Sequence, residues 1–297
     1  MAYLSSIEAS DCSVVRKLAE QAFGRSVHDV LPLGGLIAHN FMVDNQRVFK
    51  VASSRSCVDD WQRLVANAPV LQQHLSVQIP IPTLHILKHG SEQIPAISYE
   101  RLPGFCMSRA MFAEKDDAFK KNYFSQLSEK IHELHQVSPD VLPARPLTVL
   151  QQAVNMLFNN KTARKYVPKI AKCLFPYSSD HPVLLHTDLH AENICFDGKK
   201  ITGLLDFDSL SIGHPVFEFR PKLYKKEEDL HMILNDYIQR YPSEVSRPVA
   251  EDFLRKFDTV FFLFFVMSLI RVNKKNKTRF EDALKVYRAG YARGTIN

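Results

Sequence analysis

The chain has 297 residues, 45% of them hydrophobic, with 38 basic against 32 acidic side chains and a formal net charge of +6. That length and apolar content suffice for one large or two modest domains with real cores. The small positive balance tolerates anions such as nucleotide phosphates but alone names no partner, and no nucleic-acid partner is expected because no aromatic residues for stacking bases are interleaved with the basic stretch 271–279.

In chain order, the first residues lack the basic stretch and apolar core of a secretory signal, which predicts a cytoplasmic protein. Residues 1–30 are expected to be helical. Beyond Gly34 and Gly35, apolar and polar residues alternate through 41–43 and 48–52 around Asp44, Asn45 and Gln46, the pattern of a β-hairpin. A helix over 59–74 would carry Trp61, Leu64, Val65 and Leu71, with Pro69 bending or ending it. Residues 79–82 begin an extended segment, and strands over 83–87 and 95–101 flank a turn at His89, Gly90 and Ser91. From Pro103 onward the pattern turns helical. The clearest helix is 119–137, with Tyr123, Leu127, Ile131 and Leu134 on one face, followed by a proline-containing loop over 138–146. A short β segment follows over 184–205, and helices resume over 225–290, where Leu230, Ile233, Leu234, Tyr237, Ile238 and Tyr241 form one stripe. The apolar stretch 260–269 is far short of the roughly 20 residues of a membrane span and reads as a buried helix, so no membrane partner is expected.

Residues 184–208 carry the chemistry. Acids, amides and histidines are compressed there between apolar strands, where isolated charges are costly to bury. Asp197 and Gly198 signal a tight hairpin turn, and counting outward from it sets Asn193 opposite 204–206. Neighbouring strands lie about 4.8 Å apart, so the Asn193 amide and the Asp206 carboxylate come within reach of one hard cation. Magnesium suits that pair, because it takes one or two protein oxygens and leaves its other positions to water and phosphates. Asp188, five residues before Asn193 on a loop, is in a base position. An aspartate near an acceptor hydroxyl and a metal pair near the leaving phosphates are a sufficient minimum for phosphoryl transfer.

The order His186-x-Asp188-x-x-x-x-Asn193, with Leu-Asp206-Phe-Asp208 thirteen residues beyond Asn193, resembles the catalytic and metal-binding motifs of the aminoglycoside phosphotransferase and choline kinase superfamily. Residues 34–52 resemble that family's phosphate-covering hairpin and ATP-binding lysine, here Lys50. Residues 99–104 (Tyr-Glu-Arg-Leu-Pro-Gly) are similar to its hinge, and Leu134 and His135 to the end of its long helix. The resemblance implies an α+β, bilobal, protein-kinase-like fold, with a small antiparallel-sheet N-lobe (1–102) and a larger, mainly helical C-lobe (103–297). It implies Asp188 as catalytic base, Asn193 and Asp206 as Mg2+ ligands, and Lys50, Gly34, Gly35, Glu100 and Leu102 as contacts to ATP or GTP. The implied reaction transfers a γ-phosphate to a hydroxyl of a small molecule, aminoglycosides being the leading named example.

Departures sharpen the comparison. Protein kinases carry Arg where this chain has Thr187, which favours the small-molecule branch, as does the lack of a long activation segment between Asp206 and Pro215. A protein kinase and a nucleotide-binding regulator without turnover are the alternatives. The helix glutamate that partners the family's lysine has no clear counterpart: Asn67 stands near its place, leaving Asp59, Asp60 or neither as the acid for Lys50. Gly213, His214, Pro215 and Glu218 replace a family Gly-Asp-Pro and a later Asp, and read as structural. Asp208 either assists a second metal or caps the following turn. His186, His190, His132 and His135 do not make a His-Glu-x-x-His zinc helix, and His186 reads as a buried scaffold. Cys12, Cys57, Cys106, Cys173 and Cys195 contain no Cys-x-x-Cys pair, so free, reduced thiols are expected. Residues 261–265 read as core and 271–279 as a solvated basic face. For the acceptor, expected between the catalytic loop and residues 225–290, Glu227, Glu228, Asp229 and Asp236 favour a cation, while Lys225, Lys226 and the 271–279 cluster favour an anion as strongly.

Overall fold

Helix α1 (Cys12–Phe23) begins where Asp11 accepts a hydrogen bond from the Ser13 amide at 2.8 Å, and it stops at Gly24, whose φ of 63° is left-handed. Residues 1–10 of the helical stretch expected over 1–30 lie outside the described residues; at its other end the helix stops at Phe23, and Val30–Gly34 is a strand, β1, held extended by antiparallel pairing with β2 (Ala38–Val43). The computed structural model describes residues 11–34, 38–53, 55–152, 168, 177, 181–220, 226–254 and 256. Gly35, Cys173, Lys225 and the segments 260–269 and 271–279 singled out in the sequence lie outside them, as does most of the helical stretch expected over 225–290.

The expected hairpin joins β2 to β3 (Arg47–Ala52). Asp44 and Asn45 turn the chain with φ of 49° and 52°, a region that Asp and Asn tolerate. With β4 (Thr83–His89) and β5 (Glu92–Glu100), the sheet has the order β1-β2-β3-β5-β4 and is antiparallel throughout. Side chains alternate across a strand, and this decides where Lys50 points. Phe49 and Val51 pack with Val15, Leu18, Ile94 and Ala96 on the α1 side. Ala52 packs with Val58, Trp61 and Ile97 on the side of α2 (Arg55–His74). Lys50, two residues before Ala52, faces α2. Pro69 does not end that helix, which continues to His74. Trp61, Leu64, Ala68 and Leu71 are buried along it, while Pro69 itself is exposed.

Beyond Gly104, β6 (Phe105–Cys106) is followed by α3 (Arg109–Ala113) and α4 (Asp117–His135), the long helix expected over 119–137. Asp116 caps α4, which buries Tyr123, Leu127, Ile131 and Leu134. Two-residue β7 (Leu147–Thr148) and β8 (Val183–Leu185) come next, then the hairpin of β9 (Ile194–Phe196) and β10 (Ile201–Leu204) around Asp197 and Gly198. Asp197 Oδ1 accepts from the Lys199 and Lys200 amides at 2.8 Å, and Gly198 has a φ of 101°.

The described chain falls into two units. One comprises Met1–Pro146 with Asp188–Leu210, and the other Leu147–Thr187 with Ser211–Asn297. The first contains the five-stranded sheet and a second sheet of order β10-β9-β6. The second contains a sheet of order β7-β11-β8, where β11 is Ser211–Gly213, and helix α5 (Glu227–Arg240). That helix buries Leu230, Ile233, Leu234, Tyr237 and Ile238, the expected stripe without Tyr241, which is half-buried. No helix among the described residues is long and apolar enough to cross a membrane.

Candidate active site

The loop after β8 is held by its backbone. His186 is fully buried, and the His186 and Thr187 amides donate to the buried Glu218 carboxylate at 2.8 and 2.5 Å. Glu218 closes a 3-10 turn (Pro215–Glu218) that His214 caps by accepting from the Val216 amide. Thr187 takes a left-handed φ of 66°, and the two charge-assisted bonds compensate for that conformation. The structural reading of Glu218 therefore acquires a specific form: it fixes the two residues that precede Asp188.

Next, His190 caps a short turn (Ala191–Asn193) that carries Asn193 back toward Asp188. Asn193 Nδ2 donates to the Asp188 carbonyl at 2.9 Å and to Asp188 Oδ2 at 3.1 Å, leaving the amide oxygen available as a ligand. The Leu205 amide donates to the Asn193 carbonyl at 2.8 Å, and Ile194 pairs with Leu204, so Asn193 lies across from the residue before Asp206 as expected. Asp206 also adopts a left-handed φ, 65°, and its side chain is 42% exposed.

Lys50 arrives from the five-stranded sheet. Its Nζ lies 2.6 Å from Asp206 Oδ1 and 3.2 Å from Asp208 Oδ2, and the Trp61 indole donates to the same Asp208 oxygen at 3.0 Å. The acid that the sequence left open is thus neither Asp59 nor Asp60. Asp59 is exposed, Asp60 pairs with Arg63, and Asn67 exchanges hydrogen bonds with the backbone of Ala144. Helical geometry turns Trp61 toward Lys50, and the acids come from beyond β10. Asp208 does not cap the Phe207–Ser209 turn, whose N-cap is Asp206. Its Oδ1 is buried and meets no hydrogen-bond donor among the described residues.

The charges are strongly coupled. Burial works to discharge Lys50, but Asp208, Tyr99 and Asp206 outweigh it and hold the ammonium well above the ordinary lysine range. Burial pushes the Asp208 carboxyl up, against the pull of Lys50, and the nearby Asp206 charge adds to the rise. Tyr99, whose ring lies 6.0 Å from Lys50 Nζ, is pushed up to about 12 by burial.

Gly34 ends β1. Glu100 alternates with Ala96 onto the α1 side, opposite to Lys50, and pairs with Arg47 at 2.8 Å. Leu102 packs on Gly203 so closely that a Cβ there would come within 2.8 Å of its Cδ1. Among the described residues no group of three or more His, Cys, Asp and Glu side chains gathers as a metal site. Magnesium asks for fewer, and a half-exposed carboxylate with an amide oxygen fits it. Two contributors escaped the sequence reading. The helical spacing marks Trp61 only as core, though the chain's single tryptophan needs a partner for its N–H when buried. The second was the pairing of Lys50 with both late aspartates.

A buried lysine delivered by an antiparallel sheet to two carboxylates beyond a β-hairpin, with a loop aspartate tied to an asparagine, defines a phosphotransferase of kinase-like fold. The model of the phosphotransferase enzyme family matches residues 29–253, well over half of the sequence, and the chain belongs to that family. Among solved structures, the chain is similar to wild-type aminoglycoside 2'-phosphotransferase-IIIa in its GDP complex (19% identity, 95% of this chain and 99% of that one, TM-score 0.73). It is similar to APH(2")-IIa in a streptomycin–ATP ternary complex (15% identity, 97% of each chain, TM-score 0.62). It is also similar to the macrolide 2'-phosphotransferase MphH from Brachybacterium faecium without ligand (15% identity, 92% and 96%, TM-score 0.59). At these identities the likeness establishes the fold. No curated protein matches the sequence significantly.

Proposed function

We propose that this phosphotransferase moves the γ-phosphate of ATP or GTP, taken as the magnesium complex, to a hydroxyl of a small molecule. The observation that carries the reading is the buried Lys50 ammonium, 2.6 Å from Asp206. Such a cation, fixed beside a half-exposed carboxylate, suits a nucleotide phosphate that shares a metal with that carboxylate. Asn193 and Asp206 would hold the magnesium, whose contribution when bound is to neutralise charge on the phosphate oxygens. Lys50 binds the phosphates, and Asp208 with Trp61 keeps it aimed. Asp188, tied by Asn193 Nδ2, orients the acceptor hydroxyl and takes its proton. Glu100 would meet the nucleotide through its main chain, as its side chain is engaged with Arg47. In this division of labour residues 1–102 bind nucleotide, and 103–297 supply catalysis and the acceptor site.

GDP and ATP occur in the complexes of the similar proteins, so both nucleotides belong in the trial, and aminoglycosides and macrolides are the first acceptors to test. Calorimetry with each nucleotide at several magnesium concentrations should show binding that Lys50→Ala weakens at least about tenfold, the loss of one buried charge-assisted contact. Silence from both nucleotides would sink the reading. Release of ADP or GDP on adding each antibiotic then identifies the acceptor.

A further inference from the structure

Strands β6 and β9 pair antiparallel with Cys106 directly opposite Cys195, and the two sulfur atoms lie 3.6 Å apart. Residues in such register have Cα atoms about 4.5–5.5 Å apart, inside the range of about 4.4–6.8 Å that a disulfide spans. Reaching the S–S length of about 2.05 Å requires side-chain rotation and no new backbone path. Neither sulfur is a hydrogen-bond partner of Lys50, Asp206 or Asp208. Cys195 is buried and Cys106 half-buried, so a dissolved oxidant meets Cys106 first.

We propose that Cys106 and Cys195 form a reversible disulfide, a modification site at which a hydroperoxide sets the covalent state of the protein. The Cys106 thiolate attacks the O–O bond, keeps one oxygen as a sulfenic acid and expels the other as hydroxide or alcohol. Cys195 then attacks the Cys106 sulfur, the S–S bond forms, and the departing oxygen leaves as water with the Cys195 proton. Two thiols are oxidised and one peroxide bond is reduced. Cys106 is the half-buried sulfur and Cys195 the buried one, so Cys106 is the nucleophile that meets the peroxide and Cys195 the thiol that resolves it. The bond would tie the segment after Gly104 to the strand that follows Asn193.

The test treats the reduced, full-length protein with hydrogen peroxide and maps its peptides without reductant. The expected result is a Cys106–Cys195 cross-link, lighter by two hydrogens than the separate peptides and reversed by dithiothreitol. The link joins residues 89 apart, so the unfolding midpoint should rise by about 5–10 °C. A Cys12→Ser, Cys57→Ser, Cys173→Ser variant should keep both effects, while Cys195→Ser should lose both. Should Cys195→Ser fail to fold, the half-buried Cys106→Ser carries the same comparison. Thiols at 106 and 195 that both remain open to alkylation after peroxide overturn the proposal. So does Cys106 joined to any other cysteine, or halted as a sulfinic acid.

Discussion

Asp188 and Asp206 are carboxylates of similar exposure in different company. Asp188 is tied by the Asn193 amide, whereas Asp206 faces the Lys50 ammonium. Changing each to Asn preserves size and removes charge, and the two losses should differ in kind. Asp188→Asn should lower turnover by about 10²–10⁴-fold, the usual contribution of a general base, with magnesium–ATP binding retained. Asp206→Asn should weaken magnesium–ATP binding itself, because a hard cation loses a charged oxygen. Turnover with the identified acceptor and calorimetry on both variants check this, and an exchange of the two phenotypes would show the roles to be reversed. These residues stood out in the sequence because Asp188, Asn193 and Asp206 crowd into one short polar motif between apolar strands. The partners of Lys50 did not, because Asp206 and Asp208 lie 156 and 158 residues away and no local period links them.

At the scale of elements, α2 carries a defect. Pro69 lacks the N–H that would bond the Val65 carbonyl, yet the helix runs on to His74 because its buried face holds it. Pro69 is exposed, so Pro69→Ala removes little packing and restores a backbone donor. Denaturant unfolding should show the variant more stable by about 1–3 kcal/mol, and a loss of stability would mean that the proline ring packs in a way its exposure does not reveal. Burial overrode local propensity here, so the sequence could not settle the end of this helix. The hairpins at Asp44, Gly90 and Asp197 were legible, since their turn residues and flanking alternation act locally. Strand β1 was not, because Val30 to Gly34 is too short to alternate clearly, contains Pro32 and becomes extended only by pairing with β2.

For the molecule as a whole, alkali should be the weak side. Tyr99 is pushed up to about 12 by burial, so the folded chain holds its phenol proton more tightly than the unfolded chain does. The resulting stability is complete below pH 10, the ordinary tyrosine value, and is lost as pH rises toward 12. A two-unit rise corresponds to about 3 kcal/mol. Lys50, also raised, shifts stability in the same direction above its ordinary value of 10.5. The unfolding free energy should therefore fall steeply between pH 10 and 12, and less so in Tyr99→Phe, whose ring cannot ionise. Identical pH profiles for parent and variant would contradict the assignment.

The first unit is built from two separated stretches of chain, and this gives its assembly an order in time. Synthesis proceeds at about 5–20 residues per second, so the 156 residues between Lys50 and Asp206 take about 8–30 s to make. Throughout that interval the nascent sheet holds its lysine, and α2 its tryptophan, without either aspartate. The segment made first is therefore completed only once the ribosome has passed Asp208.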